Sequence, residues 1–131
     1  MVTAFTIRLA LIATLIAATL ALPPALAASS LQGQWRGSGV VTYRQNKDPV
    51  RCRVSFQRLS ATAFSLSSQC SAEDRSYDVK GRVVAAGGDR YSGRVEGEGV
   101  TGAVAIVQRG NRLSVTVTSE RGSATLSLSR F

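Results

Sequence analysis

Two cysteines constrain this chain more than anything else in it. Cys52 and Cys70 are the only cysteines in 131 residues, and they bracket the stretch VRCRVSFQRLSATAFSLSSQC, Val50–Cys70. On its first half Cys52, Val54 and Phe56 alternate with Arg51, Arg53, Ser55 and Gln57. On its second, Phe64, Leu66 and Cys70 alternate with Ala63, Ser65, Ser67 and Gln69. Period two is the pattern of a strand with one buried face. A turn centred on Ala61 sets Cys52 opposite Cys70, Val54 opposite Ser68 and Phe56 opposite Leu66. Opposed residues bring their Cβ atoms within about 4.5–5.5 Å, close to disulfide reach. The same pair would otherwise be two buried thiols, and the compartment decides between these.

Residues 1–27 point to export. A short start with Arg8 precedes the uncharged apolar run Leu9–Leu22, then Pro23-Pro24 and Ala25-Leu26-Ala27, an A-x-A cleavage pattern. The run is shorter than the roughly 20 residues of a bilayer span. No cysteine follows it to carry a lipid anchor. Cleavage after Ala27 leaves residues 28–131 as one small domain with no stable transmembrane span. The expected location is the periplasm or the extracellular space, where a cysteine pair is read as a disulfide.

Alternation continues through the exported part. Trp35, Val41 and Tyr43 share a face with Gly37 and Gly39, and Gln45–Pro49 reads as a polar turn. The cysteine hairpin follows, then the charged loop Ser71–Ser76. Tyr77–Ala85, Arg90–Glu98, Val100–Gln108, Leu113–Thr118 and Ala124–Ser129 complete the set, with Gly87-Gly88-Asp89 and Arg109-Gly110-Asn111 among the turns. Val100–Gln108 is apolar on both faces near Val104–Val107 and reads as the most buried strand. Eight short strands with Gly-rich turns and no helical pattern predict an all-β fold. The expected form is an eight-stranded antiparallel up-and-down barrel with one disulfide; the alternative is a β-sandwich. Gly37, Gly39, Gly81, Gly93, Gly97 and Gly102 fall on inward faces. They serve either the sharp coiling of a small barrel or an interior cavity, and coiling is the commoner reason.

The residue inventory argues against catalysis. Histidine is absent, which removes the imidazole base, the Ser-His and Cys-His pairs and the usual zinc set. Glu96 and Glu98 stand two apart on one strand but are flanked by Arg90 and Arg94, the pattern of a solvated salt-bridged face. Glu73, Asp74 and Asp78 lack the spacing of a calcium loop. No phosphate-binding or dinucleotide fingerprint occurs, so no cofactor or metal is expected.

Charge is the stronger hint. Cleavage would remove Arg8 and leave fifteen Lys and Arg against eight Asp and Glu, a net charge of +7. All of the cations but Lys47 and Lys80 are arginines. Arg36, Arg44, Arg51, Arg53, Arg82, Arg90, Arg94 and Arg112 fall on predicted outward faces. Arginine suits bidentate contact with phosphate and carboxylate. The partners this implies are anionic lipid, lipopolysaccharide or acidic polysaccharide. Nucleic acid fits poorly, because no exposed aromatics interleave with the basic residues.

Two resemblances bear on this. W-R-G-S-G-V-V at Trp35–Val41, V-R-C-R at Val50–Arg53, the second cysteine, Y-S-G-R-V-E-G-E at Tyr91–Glu98 and L-S-L-S-R at Leu126–Arg130 resemble a group of small secreted proteins from rhizobia-type alphaproteobacteria. Val95 stands where that group carries an aromatic residue. The start Gly33-Gln34-Trp35 resembles the G-x-W of calycin barrels: lipocalins, avidins and bacterial metalloprotease inhibitors. That likeness implies that Trp35 closes one barrel end beneath a late-strand arginine, Arg121 or Arg130. It also implies a small apolar ligand inside, or a protease-inhibiting segment at Ser29-Ser30-Leu31. The expectation is therefore a non-enzymatic binding or envelope-interaction protein, with a calycin-like ligand binder or protease inhibitor as the alternative.

Overall fold

The computed structural model describes residues 30–131; the expected signal segment and its cleavage point lie outside them. Eight strands follow in order: β1 (Gly33–Tyr43), β2 (Asn46–Arg58), β3 (Ala63–Ser71), β4 (Ser76–Ala85), β5 (Arg90–Gly97), β6 (Val100–Arg109), β7 (Arg112–Ser119) and β8 (Gly122–Arg130). Each pairs antiparallel with the next, and β8 pairs back onto β1. That last seam makes the molecule a closed barrel rather than a sandwich. No helix occurs among the described residues.

The barrel is staggered. The cross-strand row that starts at Gln57, level with position 32 of the chain, runs through Ser65, Arg82, Arg94, Ala103, Thr118 and Ser123 to Thr42. One circuit thus returns to β1 ten residues further along. Closure of eight strands with such a shear tilts them by about 40° to the axis.

Glycine makes this coiling possible at two seams. A Cβ on Gly37 would overlap the carbonyl oxygen of Ser127 across β1–β8, and one on Gly93 would overlap that of Arg82 across β4–β5. Only a residue without a side chain admits backbones this close. The seams lie four strands apart and divide the wall into two halves, β1–β4 and β5–β8. Gly39, Gly81 and Gly97 crowd the same two seams, so these glycines mark corners, while Gly102 faces the Thr118 carbonyl across β6–β7.

Alternation places the core as expected. Trp35, Phe56, Phe64, Val83, Ile106, Leu113 and Leu128 are almost wholly buried at one end, with Leu31 beneath them. Complete burial of an aliphatic or Phe side chain contributes about 1.5–3 kcal/mol. Toward the other end the lining thins, and Val41, Val79, Val117 and Leu126 are only half-buried. The buried polar side chains among the described residues are Ser68 and Gln108. Gln108 Nε2 donates to the Gly110 carbonyl at 3.4 Å. Cys52 and Cys70 form the disulfide, in the predicted register with Val54 opposite Ser68 and Phe56 opposite Leu66.

Several local expectations differ. Gln45–Pro49 is not a turn: Asn46–Pro49 belongs to β2 and pairs with Val40–Tyr43, leaving Arg44-Gln45 as a two-residue hairpin. Pro49 is tolerated because β2 has not yet met β3 there, whose pairing begins at Arg51. Arg44 has φ 54° and Glu98 φ 53°, so both are turn residues rather than strand-face residues. Glu96 and Glu98 consequently do not share a strand face. Tyr43 and Ala85 have inward parity but are exposed, because they sit at strand ends beyond the lumen. Nor is β6 buried on both faces: Ala105 is exposed and Val107 half-buried on the outer wall.

Candidate functional site

The closed end is built around Trp35. Its ring is fully buried, and Nε1 donates to the Leu31 carbonyl at 3.0 Å. Arg130, the last residue of β8, lays its guanidinium 4.2 Å from the ring centroid. It also donates to the carbonyls of Gln32 at 2.8 Å and Ser30 at 2.7 Å. Residues 30–32 are thereby strapped across the barrel floor. Arg121 takes no part: it lies in the β7–β8 turn at the opposite end of the strand. Leu31 is fully buried, so this residue is a floor plug and not a free segment for a protease active site; Ser29 lies outside the described residues. Arg58 adds to the same end, 5.3 Å from the Phe64 ring centroid and 3.4 Å from Ser30 Oγ. Phe64 meets Tyr91 edge-on at 5.8 Å. Burial pushes the Tyr91 phenol above its ordinary pKa, with Arg58 pulling it down and Asp89 pushing it up.

The outer wall carries the charge. Arg36 stands directly opposite Arg53, Arg82 opposite Arg94, and Arg109 opposite Arg112. Arg36 and Arg112 both also face Ser129, while Arg53, Arg82 and Arg94 face Gln69, Ser65 and Ala103, so no carboxylate stands directly opposite any of them; Glu96, two residues from Arg94, is opposite Lys80. Directly opposed like charges cost stability, of order a few tenths of a kcal/mol per pair. Arg51 lies two residues from Arg53 on the same face, opposite Ser38.

The distribution along the axis is uneven. Arg36, Arg58, Arg90, Arg109, Arg112 and Arg130 cluster at the Trp35 end, where Asp89 is the acid of the adjoining turns. Glu73, Asp74, Glu98 and Glu120 occupy turns at the other end, beside Arg44, Arg75 and Arg121. Of the outward arginines singled out from the sequence, Arg44 is thus set apart from the rest, against Tyr43 at 5.6 Å. Arg109 was hidden because Arg109-Gly110-Asn111 reads as a turn. Its odd position beyond Ala105 and Val107 is the signal that places it on the outer face. Among the described residues no group of three potential metal ligands converges, and Glu73, Asp74 and Asp78 are all exposed.

Among the described residues, two open hollows lie on the outer wall of the barrel. One of about 370 Å³ lies by the β5–β6 turn, between Asp78, Lys80, Glu96 and Thr101. The other, about 360 Å³, crosses β7, β8 and β1 and is lined by Ser38, Val40, Ser114, Thr116, Thr125 and Ser127 with the backbone between them.

No protein-family model matches the chain, and no curated protein matches it in sequence. Solved structures match in fold. A redesigned β-barrel, b11L5F_LGL, superposes with a TM-score of 0.66 at 19% identity, over 77% of this chain and 91% of its own. A second, mFAP1 bound to DFHBI, gives 0.66 at 17% identity, over 76% and 94%. Rv2717c of M. tuberculosis gives 0.56 at 16% identity, over 85% and 99%. At such identities the likeness is one of fold alone: a closed antiparallel β-barrel.

Proposed function

We propose that this barrel is a non-enzymatic binding protein of the periplasm or extracellular space that holds anionic envelope components on its outer arginines. The observation that carries the reading is the set of three opposed arginine pairs with no carboxylate directly opposite any of them. Such pairs are unfavourable in the free protein and are relieved when a phosphate or carboxylate bridges them. The disulfide supports an oxidising compartment. Export through residues 1–27, and kinship with the small secreted alphaproteobacterial proteins, belong to the same proposal. An intact mass starting at residue 28 would establish the cleavage. The test of function is binding to lipopolysaccharide, anionic vesicles and an acidic polysaccharide across a salt series. Binding that weakens steeply with salt and falls in an Arg53→Glu, Arg94→Glu double variant is expected. Absence of salt-sensitive binding to all three overturns the reading.

A second reading rests on the thin end of the lining. Val41, Val79, Val117 and Leu126 leave apolar surface half-exposed opposite the Trp35–Arg130 closure. A small uncharged apolar ligand suits that mouth, since no charged side chain among the described residues is buried inside. One barrel of similar fold holds DFHBI. Native mass spectrometry of freshly purified protein tests it: a retained apolar molecule supports the reading, and binding of neither a native ligand nor an added apolar fluorophore sinks it.

A further inference from the structure

The hollow across β7, β8 and β1 lies within a graded surface. Three cross-strand rows run side by side. The first is Thr116, Thr125 and Val40, which offers methyl groups. The second is Ser114, Ser127 and Ser38, which offers hydroxyls. The third is Arg112, Ser129 and Arg36, which offers two guanidiniums on either side of a serine. Successive rows are two residues apart on each strand, about 7 Å, and neighbouring strands are about 4.8 Å apart. Arg112 and Arg36 thus have their Cα atoms roughly 10 Å from each other. All six residues of the first two rows line the hollow. Arg36 is held in place by the Phe131 ring, 4.8 Å from its guanidinium carbon, and Phe131 is fixed by its backbone bond to the Gln34 carbonyl at 3.2 Å.

We infer that this hollow is a binding site for an acidic saccharide. The inference rests on the anion-binding reading above and gives it a place and a chemical class. A sugar ring has an apolar C–H face, a rim of hydroxyls and, when acidic, one anionic substituent. The three rows supply methyls, hydroxyls and guanidiniums in that order. Hydroxyl side chains both donate and accept, as a polyol requires. Two arginines flank Ser129 in the row next to the hollow, within side-chain reach of a carboxylate or phosphate on a ring seated there. The volume of about 360 Å³ falls at the lower end of the roughly 300–1,000 Å³ typical of small-molecule sites. A lipid headgroup uses only the arginine row, and the hydroxyl and methyl rows would then have no role.

The test uses trigalacturonate, with maltotriose as neutral comparison and inorganic phosphate as free anion. Binding is followed by calorimetry and by amide shift changes on the folded chain. Trigalacturonate is expected to bind at least about tenfold more tightly than either comparison, a difference of about 1.4 kcal/mol. Its shift changes should centre on Ser38, Ser114 and Ser127. Ser127→Tyr, which fills the hollow on an exposed strand face, should abolish saccharide binding while leaving vesicle binding intact. Arg112→Gln should reduce trigalacturonate affinity to the level of maltotriose. Equal binding of neutral and acidic sugars, or unchanged affinity in Ser127→Tyr, overturns the site and leaves the anion reading standing. Failure of every anionic probe overturns both.

Discussion

The guanidinium of Arg130 covers the Trp35 ring at 4.2 Å while donating to the carbonyls of Gln32 and Ser30. One side chain from the last strand thus ties together the first strand and the segment before it. Residues 30–32 and the end of β8 are thereby closed over the same hydrophobic end. Arg130→Ala removes a cation–π contact and two charge-assisted hydrogen bonds. The expected loss is about 2 kcal/mol in urea unfolding, against about 0.5 kcal/mol or less for Arg94→Ala on the open wall. Arg130→Lys should recover only part of it, because an ammonium cannot make the same planar fork. Equal effects at both positions would refute the closure.

Reduction of Cys52–Cys70 should lower stability without changing the barrel. The cysteines are 18 residues apart in sequence, and closing so short a loop constrains the unfolded chain by about 3 kcal/mol. Cys52→Ala, Cys70→Ala is expected to show a lower unfolding midpoint and an unchanged β-sheet circular dichroism spectrum. It should also lack the dependence of stability on reductant expected of the parent protein.

The glycine corners make a sharper prediction. Gly93→Ala places a methyl against the Arg82 carbonyl, where backbone and not a flexible side chain must move. We expect a loss of about 3 kcal/mol or failure to fold, well above the usual cost of about 1 kcal/mol. Gly88→Ala is the control. It has φ 57° and no atom within 4 Å, so it carries only the left-handed backbone cost of about 1–2 kcal/mol. A fully stable Gly93→Ala protein would mean that the β4–β5 seam is looser than described.

Stability should fall at high pH through Tyr91. Burial chiefly raises its pKa in the folded state from 10.0, with Arg58 opposing and Asp89 adding to the rise. The folded chain therefore keeps its phenol proton when the unfolded chain has lost it. This contribution is intact below pH 10.0 and is lost as pH climbs from there through the folded-state value. Tyr91→Phe should flatten that part of the stability–pH curve, measured by unfolding at pH 8 to 11.

Much of this was legible in one dimension because alternation is local. A strand's two faces follow from period two, so Cys52, Val54 and Phe56 were separable from Arg51 and Arg53 with no knowledge of neighbours. The opposition of Cys52 and Cys70 followed from one hairpin. Turn tips were harder: Arg44 and Glu98 adopt left-handed φ values that their residue types do not announce. The choice between Arg121 and Arg130 stayed open too, since it depends on which end of β8 faces Trp35.

Sequence alone thus determined the strands, their inward faces and the disulfide register. It also carried the basic balance of the chain. Tertiary structure alone decided which outward residues stand together. Ser114 and Ser127 share one hairpin, but Ser38 joins them from the first strand, and Arg36 meets Arg112 only across Ser129. That neighbourhood exists because β8 closes on β1 ten residues out of step, at a corner where Gly37 lets two backbones touch. Side-chain period fixes a face within each strand. The stagger at which a barrel closes is a property of all eight strands at once.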